Sequence, residues 1–138
     1  MTNETTAFNE KIIAEFRANE GVVGAPFKGT PLMLLGNRGA KSGAARTNPL
    51  AYTMDGDDMI IIASFAGSDK HPPWYHNLIA NPQVTVEVGK DKYEATASIV
   101  DEPDRTRLYG QIEAQLSAFT GYREKTTRVI PVIRLRKV

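Results

Sequence analysis

A glycine-rich loop holds the first residues whose types and spacing could bind a substrate group. Between Gly36 and Gly43 the chain places three glycines, Lys41 and Ser42, and Arg46 follows shortly after. Backbone N–H groups and cationic side chains in such a loop can bind phosphate through charge-assisted hydrogen bonds. The loop is not that of a P-loop NTPase, because alanine precedes the lysine and a strand pattern follows where a helix is needed. The loop therefore predicts an anion-binding site that is not a nucleotide-binding P-loop.

The charges around this loop support the same prediction. No acidic residue occurs between Glu20 and Asp55, whereas Lys28 and Arg38 add two further cations to that window. A segment that carries only positive charge attracts anions. The alternative is a solvated basic loop whose charge is balanced by acidic residues elsewhere in the fold.

A second segment concentrates aromatic and imidazole side chains. Between Lys70 and Leu78 lie the only tryptophan, Trp74, a tyrosine and two histidines. Such residues can simply anchor a short helix on the protein core. Beside an anion site, they would also suit a flat ring system that carries a phosphate tail.

Two other combinations of reactive residues lack the context that their chemistry needs. Ser64, Asp69 and His71 have the residue types of a hydrolase triad, but no G-x-S-x-G turn surrounds the serine. His71 and His76 are separated by two prolines and do not have the i, i+4 spacing of two ligands on one helix face. Neither a hydrolase nor a metal site is predicted.

The elements that must position these residues are short strands and a few helices. Apolar runs and alternating patterns predict six strands, which tight turns join mainly as adjacent hairpins. Adjacent hairpins favour a small antiparallel barrel over a parallel sheet with alternating helices. The predicted fold class is therefore α+β, mainly β. The strands are predicted at 31–36, 46–54, 59–63, 84–88, 93–100 and 129–135, and the helices at 1–20, within 69–81 and at 101–116.

Length and composition exclude several classes of protein. The 138 residues predict a single domain, 1–138, and the absence of cysteine excludes disulfide scaffolds, thiolate metal sites and cysteine nucleophiles. Seventeen basic residues are matched by sixteen acidic ones, so the net charge of +1 gives no reason to expect nucleic acid as a partner. The apolar runs are too short to span a bilayer and no secretory signal opens the chain, so a cytoplasmic protein is expected.

Two stretches, taken together, resemble a known family. Residues 39–50 are similar to the pattern G-R-K-S-G-x-x-R-x-N-P-L, with Ala40 in place of the first arginine. Residues 63–67 and 71–82 resemble A-S-x-G-G and P-x-W-Y-x-N-L-x-A-N-P. The family is that of the deazaflavin-dependent nitroreductases, also described as quinone reductases that use coenzyme F420, and its members are mostly actinobacterial. The resemblance implies a split β-barrel related to flavin reductases, flanked by helices.

The resemblance also implies roles for individual residues. Tyr122 matches a tyrosine on the substrate side and Ser64 would face the deazaflavin ring, so these two are the catalytic candidates. Leu116 and Phe119 stand where a nitroimidazole-reducing member has tyrosines, which argues against nitroimidazole reduction. The residues implied to bind the coenzyme are Lys41, Ser42 and Arg46 at its phosphate and acidic tail, Asn48, Pro49 and Leu50 beside the tail and ring, and Ala63, Ser64 and Trp74 at the ring.

The activity implied by the resemblance is that of an oxidoreductase. A hydride would pass from reduced coenzyme F420 to a quinone, an activated alkene or a nitro compound, and this small-molecule acceptor would be the partner of the protein. One alternative keeps the barrel but binds FMN or haem. Another is a carrier that binds deazaflavin without turnover.

The first helix, 1–20, is expected to influence access to the site. It is terminal and followed by a glycine-punctuated segment, and segments of this kind are often mobile. The resemblance also allows peripheral contact with the inner face of the membrane. The helix carries four glutamates against one lysine and one arginine, which argues against such contact here.

Overall fold

The computed structural model describes residues 3–24 and 30–138. Lys28, one of the cations in the acid-free window, lies outside the described residues. Within them the chain forms six strands, four α-helices and one short helical turn at Phe65–Gly67. The helices are α1 (Asn3–Ala18), α2 (Pro73–Ala80), α3 (Asp104–Gln115) and α4 (Ala118–Lys125); the strands are β1 (Leu32–Arg38), β2 (Ala45–Asp55), β3 (Asp58–Ile62), β4 (Gln83–Val88), β5 (Asp91–Ile99) and β6 (Val132–Lys137).

The strands close into a barrel in the order β1-β2-β3-β6-β5-β4. All neighbouring strands are antiparallel, and the turns that join β2 to β3 and β4 to β5 contain Gly56 and Gly89 in the left-handed region. The predicted antiparallel barrel with flanking helices is confirmed. All six predicted strands and all three predicted helices are present, with ends that differ by only a few residues.

One helix, α4, was not predicted. Thr120 and Gly121 lie in its middle, and both residue types have a low helix propensity. The segment is helical because it packs on α3: Phe119 is buried, and the Tyr109 hydroxyl of α3 donates a hydrogen bond of 2.7 Å to the Phe119 carbonyl. Tertiary contact therefore outweighs local propensity here.

The interior of the barrel forms the main core. Along β1, Met33 and Leu35 point inward and are fully buried, whereas Leu34 between them points outward. Trp74 and Leu78 of α2 belong to the same interior cluster. Because α2 follows β3 and precedes β4, it closes the end of the barrel at which β3 ends and β4 begins.

Helices also cover the outside of the barrel. Ile60 and Ile62 of β3 pack against Leu108 and Ile112 of α3, and Phe119 of α4 extends this outer layer. A separate outer cluster forms where α1 lies on β1. Helices thus cover the outside of the barrel on more than one side.

The contact between α1 and the barrel predicts a large effect on stability. Phe16 is only 1% exposed and packs with Leu32 and Leu34 of β1. We expect Phe16→Ala to lower the free energy of unfolding by about 3–5 kcal/mol, measured by urea titration, because it leaves a cavity between helix and sheet. Val22→Ala is the control, since Val22 is 71% exposed and should change stability by less than about 0.5 kcal/mol. Equal effects of both changes would contradict this packing. The mobility of the first helix stays a prediction.

Candidate functional site

Every segment that the sequence analysis selected lies at one end of the barrel, which we call the site end. The antiparallel registers of β1 with β2 and of β3 with β6 bring the end of β1, the start of β2, the end of β3 and the start of β6 to this end. Three connections therefore meet there: the β1–β2 loop at 39–44, the segment from β3 to α2 at 63–72 and the segment from α4 to β6 at 126–131.

The β1–β2 loop is a compact turn closed by its own hydrogen bonds. The Gly39 N–H donates to the Ala44 carbonyl at 2.9 Å, and the Gly43 N–H donates to the Gly39 carbonyl at 2.9 Å. The Ser42 hydroxyl oxygen accepts a 3.1 Å bond from the Ala44 N–H, and a Cβ at position 39 would lie 2.6 Å from that oxygen. The N–H groups of Lys41 and Ser42 have no partner among the described residues, so they are free to bind a ligand.

The two arginines beside this loop, Arg38 and Arg46, have no carboxylate partner among the described residues. The Arg46 side chain makes no ion pair or hydrogen bond with any described residue, and the Arg38 side chain makes only a 3.5 Å contact with the Gly43 carbonyl. Lys41 is exposed and equally free of a carboxylate among the described residues. Unneutralised positive charge is therefore concentrated at the loop, as an anion site requires. Six other arginines form ion pairs with carboxylates: Arg17, Arg105, Arg107, Arg123, Arg134 and Arg136.

The predicted site residues of β2 divide between the two faces of the sheet. Leu35 points into the barrel, and its partner in the register is Asn48. Because side chains alternate along a strand, Arg46 and Leu50 share this inward face, whereas Pro49 lies on the outer face. Arg46 is exposed at the rim, while Asn48 and Leu50 are partly buried. A ligand on one face can touch only part of this set directly.

Three asparagines connect the loop to α2. Asn37 is 4% exposed, and its Nδ2 donates to the Leu35 carbonyl at 3.2 Å and to Asn48 Oδ1 at 3.0 Å. Asn77 Nδ2 donates to Asn37 Oδ1 at 2.8 Å, and Asn77 Oδ1 accepts from the Ala40 N–H at 2.9 Å. Asn48 was a predicted site residue, whereas Asn37 and Asn77 were not. Asn77 stands within the second motif, which could have suggested it; no sequence signal marked Asn37.

The segment after β3 has an unusual backbone. Ala63 and Ser64 are buried, with 0% and 7% of their surface exposed. The next three residues, Phe65, Ala66 and Gly67, have φ angles of 47°, 53° and 80°, in the left-handed region that glycine favours. Ala66 stands where the resembled pattern has glycine. Residues other than glycine that adopt the left-handed conformation cost free energy, and they cluster at functional sites.

This backbone leads to a prediction for Ala66. At φ 53° the methyl group of alanine costs roughly 1–2 kcal/mol, which glycine avoids. Glycine has more freedom to lose on folding, so we expect Ala66→Gly to raise the unfolding free energy by a net of about 1 kcal/mol in a thermal or urea titration. Ala14→Gly, in the exposed middle of α1, should lower it by about 1 kcal/mol. A loss of stability in both variants would show that the left-handed conformation is not strained.

The left-handed segment brings the two catalytic candidates to the same region. A Cβ at Gly67 would lie only 2.8 Å from the Tyr122 carbonyl, so this segment packs directly on α4. Gly67 also donates a 2.9 Å hydrogen bond to the Ser64 carbonyl. The Tyr122 ring is partly buried at 5.2 Å from the Phe119 ring, and its hydroxyl has no hydrogen-bond partner among the described residues. Tyr122 can therefore donate or accept a proton toward a bound molecule.

Arg128 holds the same segment from the other side, and sequence reasoning did not select it. Its guanidinium donates to the carbonyls of Ala63 at 3.1 Å, Ser64 at 2.9 Å and Ser68 at 3.1 Å. It also lies 2.8 Å from His71 Nδ1. Burial, together with the charge of Arg128, lowers the pKa of His71, which favours the neutral ring, and Nδ1 of the neutral ring can accept a hydrogen bond from the guanidinium. Nothing in the sequence distinguished this arginine from the exposed ones.

Trp74 lies deeper than a coenzyme-covering residue would need to. Its side chain is 6% exposed and packs in the barrel core with Leu78. Pro72 and Pro73 begin the helix as expected, with Pro73 at its first position. The implied role in fixing α2 agrees with this position. The implied contact with a coenzyme stays a prediction.

The residue types of a triad do not form one here. Asp69 accepts a 3.0 Å hydrogen bond from the Thr126 hydroxyl, while His71 Nδ1 faces Arg128. Groups of three or more potential metal ligands are absent from residues 3–24 and 30–138. In the same part of the chain, every helix is too short or too polar to cross a membrane.

Comparisons with known proteins agree with this architecture. The family of F420H(2)-dependent quinone reductases matches residues 10–137. Over 128 residues the chain is 39% identical to an F420H(2)-dependent quinone reductase of Mycobacterium tuberculosis. The aligned region covers 90% of this chain and 86% of the relative. The solved structure of an F420-H2 dependent reductase, FDR-A, superposes with a TM-score of 0.71 at 33% identity, covering 77% of this chain and 94% of that one.

A more distant structure shows the fold alone. It is described as a pyridoxamine 5′-phosphate oxidase of Listeria innocua, is 17% identical, and superposes with a TM-score of 0.57 over 93% of this chain and 91% of that one. The barrel is thus the split barrel that the resemblance implied. Both motifs lie within the matched range of 10–137, and the chain belongs to the family of F420H(2)-dependent quinone reductases.

Proposed function

We propose that this protein transfers a hydride from reduced coenzyme F420 to a quinone, and that the coenzyme binds at the site end of the barrel. One observation carries the placement of the site. Arg38 and Arg46 lack a carboxylate partner among the described residues, and both border the loop that also presents Lys41 and two N–H groups without a described partner. A coenzyme with a phosphate and an acidic tail fits this set of donors.

The chain would hold the coenzyme by two groups of residues. Lys41, Arg46 and the N–H group of Ser42 would bind the acidic tail. Pro49 on the outer face and Ser64 after β3 would lie at the ring. Asn48, Leu50, Ala63 and Trp74 are inward or buried, and would act mainly by shaping the wall and rim that support the site.

The residues around the reacting groups would orient the coenzyme and the acceptor and would donate one proton. When bound, reduced F420 supplies the hydride, so the chain needs no nucleophile of its own. Buried Phe119 and the apolar layer beneath it would keep water away from one side of the site. The Tyr122 hydroxyl, which no described residue engages, would give a proton to an acceptor oxygen as the quinone becomes a hydroquinone.

The test separates this function from its two rivals. The protein is titrated into oxidised F420 and into FMN while ring fluorescence is recorded, and menadione is then added to the complex with reduced F420. We expect tight binding of F420, weaker binding of FMN, and rapid reoxidation of the reduced coenzyme by menadione. Preference for FMN would favour a flavin-binding barrel. Binding of F420 without reoxidation would favour a carrier.

A further inference from the structure

The asparagine network has only one arrangement that satisfies its hydrogen bonds. Its two ends are backbone groups: the Leu35 carbonyl can only accept, and the Ala40 N–H can only donate. Asn37 must therefore turn its Nδ2 to Leu35 and its Oδ1 to Asn77. Asn77 must then donate from its Nδ2 to Asn37 Oδ1, which leaves its own Oδ1 to accept the hydrogen bond from the Ala40 N–H. The Asn77 side chain consequently presents an acceptor, and not a donor, to the Ala40 N–H.

The helix that carries Asn77 is itself firmly held. Trp74 and Leu78 are 6% and 3% exposed in the barrel core, and burying each side chain contributes roughly 1.5–3 kcal/mol. Ala40 and Lys41, in contrast, are exposed. Asn77 therefore links a helix that two buried side chains anchor in the core to an exposed loop, and it does so at the loop's second residue.

The bond to Ala40 lies directly before the free donors. The peptide groups of Lys41 and Ser42 follow it in the chain and are the two that no described residue engages. Fixing the Ala40 N–H limits the directions in which those peptide groups can turn. A loop that is ordered before binding loses less conformational freedom when an anion arrives.

We infer that Asn77 is a positioning residue that acts through the Ala40 N–H and orders the Lys41–Ser42 donors for the acidic tail of the coenzyme. The inference rests on the proposed function, because it assumes that the tail binds this loop. Ordering the backbone of a single residue costs about as much as a 5- to 30-fold change in affinity. Asn77→Ala should therefore weaken the binding of oxidised F420 by about that factor.

The experiment uses the full chain and three measurements. Amide hydrogen exchange at Ala40 is followed by NMR in the free protein, the Kd for oxidised F420 is measured by fluorescence titration, and kcat is measured with menadione at saturating reduced F420. Asn81→Ala is the matched control, since Asn81 ends the same helix and its side chain bonds to no described residue. Asn77→Leu, which keeps the branching of the side chain but removes its hydrogen-bonding groups, replaces Asn77→Ala if the alanine variant does not fold.

In the supporting result, Asn77→Ala speeds exchange at Ala40 and raises the Kd by about 5- to 30-fold, while kcat changes less than about twofold and Asn81→Ala has none of these effects. A fall in kcat as large as the rise in Kd would show a general disturbance of α2 and overturn the inference. Unchanged Kd, or an Ala40 amide that is unprotected in the wild-type protein, would also overturn it. A wild-type protein that does not bind F420 would refute the proposed function itself, and the inference with it.

Discussion

Replacing Arg46 with alanine should weaken the binding of oxidised F420 by about 10- to 150-fold. A charge-assisted hydrogen bond contributes roughly 1.5–3 kcal/mol, and Arg46 has no carboxylate among the described residues to which it could turn instead. The double variant with Lys41→Ala should bind more weakly still. Arg46→Lys should recover only part of the loss, because a point charge cannot reproduce a bidentate guanidinium. The measurement is a fluorescence titration of each variant.

Ionic strength distinguishes a charge effect from a packing effect. Raising the salt concentration should weaken coenzyme binding by the wild-type protein and have less effect on the double variant, because screening acts only on charges that are present. Arg136→Ala is the matched control, since Arg136 is exposed but paired with Asp58 away from the site end. If the double variant binds F420 as tightly as the wild type, the tail does not bind at this loop and most of the proposed site is misplaced.

Much of the barrel was predictable because several of its strands pair with a strand that is adjacent in the sequence. The hairpins β2–β3 and β4–β5 combine an alternating or apolar pattern with a glycine turn, and each pair forms without distant contacts. Closure is different. The pairings of β1 with β4 and of β3 with β6 join strands that are far apart in sequence, and no local pattern specifies them. Helix α4 was missed because its conformation depends on Phe119 reaching α3.

The site was predictable in its chemistry but not in its arrangement. Lys41 and Arg46 were found because cations without neighbouring acids are visible in a sequence. Asn48 and Pro49 must lie on opposite faces of a strand, but which of them faces the barrel interior depends on the pairing with β1, which no motif states. Arg128 was missed because its partners include three backbone carbonyls. Every residue has a backbone carbonyl, so the sequence alone does not show which of them an arginine will bind.

Tyr122→Phe should lower kcat for quinone reduction by ~10²–10⁴-fold if the hydroxyl donates the proton. The change removes one oxygen and keeps the ring, so the edge-to-face contact with Phe119 at 5.2 Å should persist. The hydroxyl bonds to no described residue, and its loss should therefore leave folding and the Kd for F420 nearly unchanged. The measurements are the pre-steady-state reoxidation of reduced F420 by menadione and a coenzyme titration of the same variant.

The competing role for Tyr122 is that of an apolar wall, and a second substitution separates the two. Tyr122→Leu removes both the hydroxyl and the ring contact with Phe119, so it should also raise the KM for menadione. A proton donor predicts that Phe and Leu lose kcat alike and that only Leu loses acceptor binding. A wall predicts that Phe keeps full activity while Leu does not. If Tyr122→Phe reoxidises at the wild-type rate, the proton comes from water, and α4 then contributes only the shape of the acceptor site.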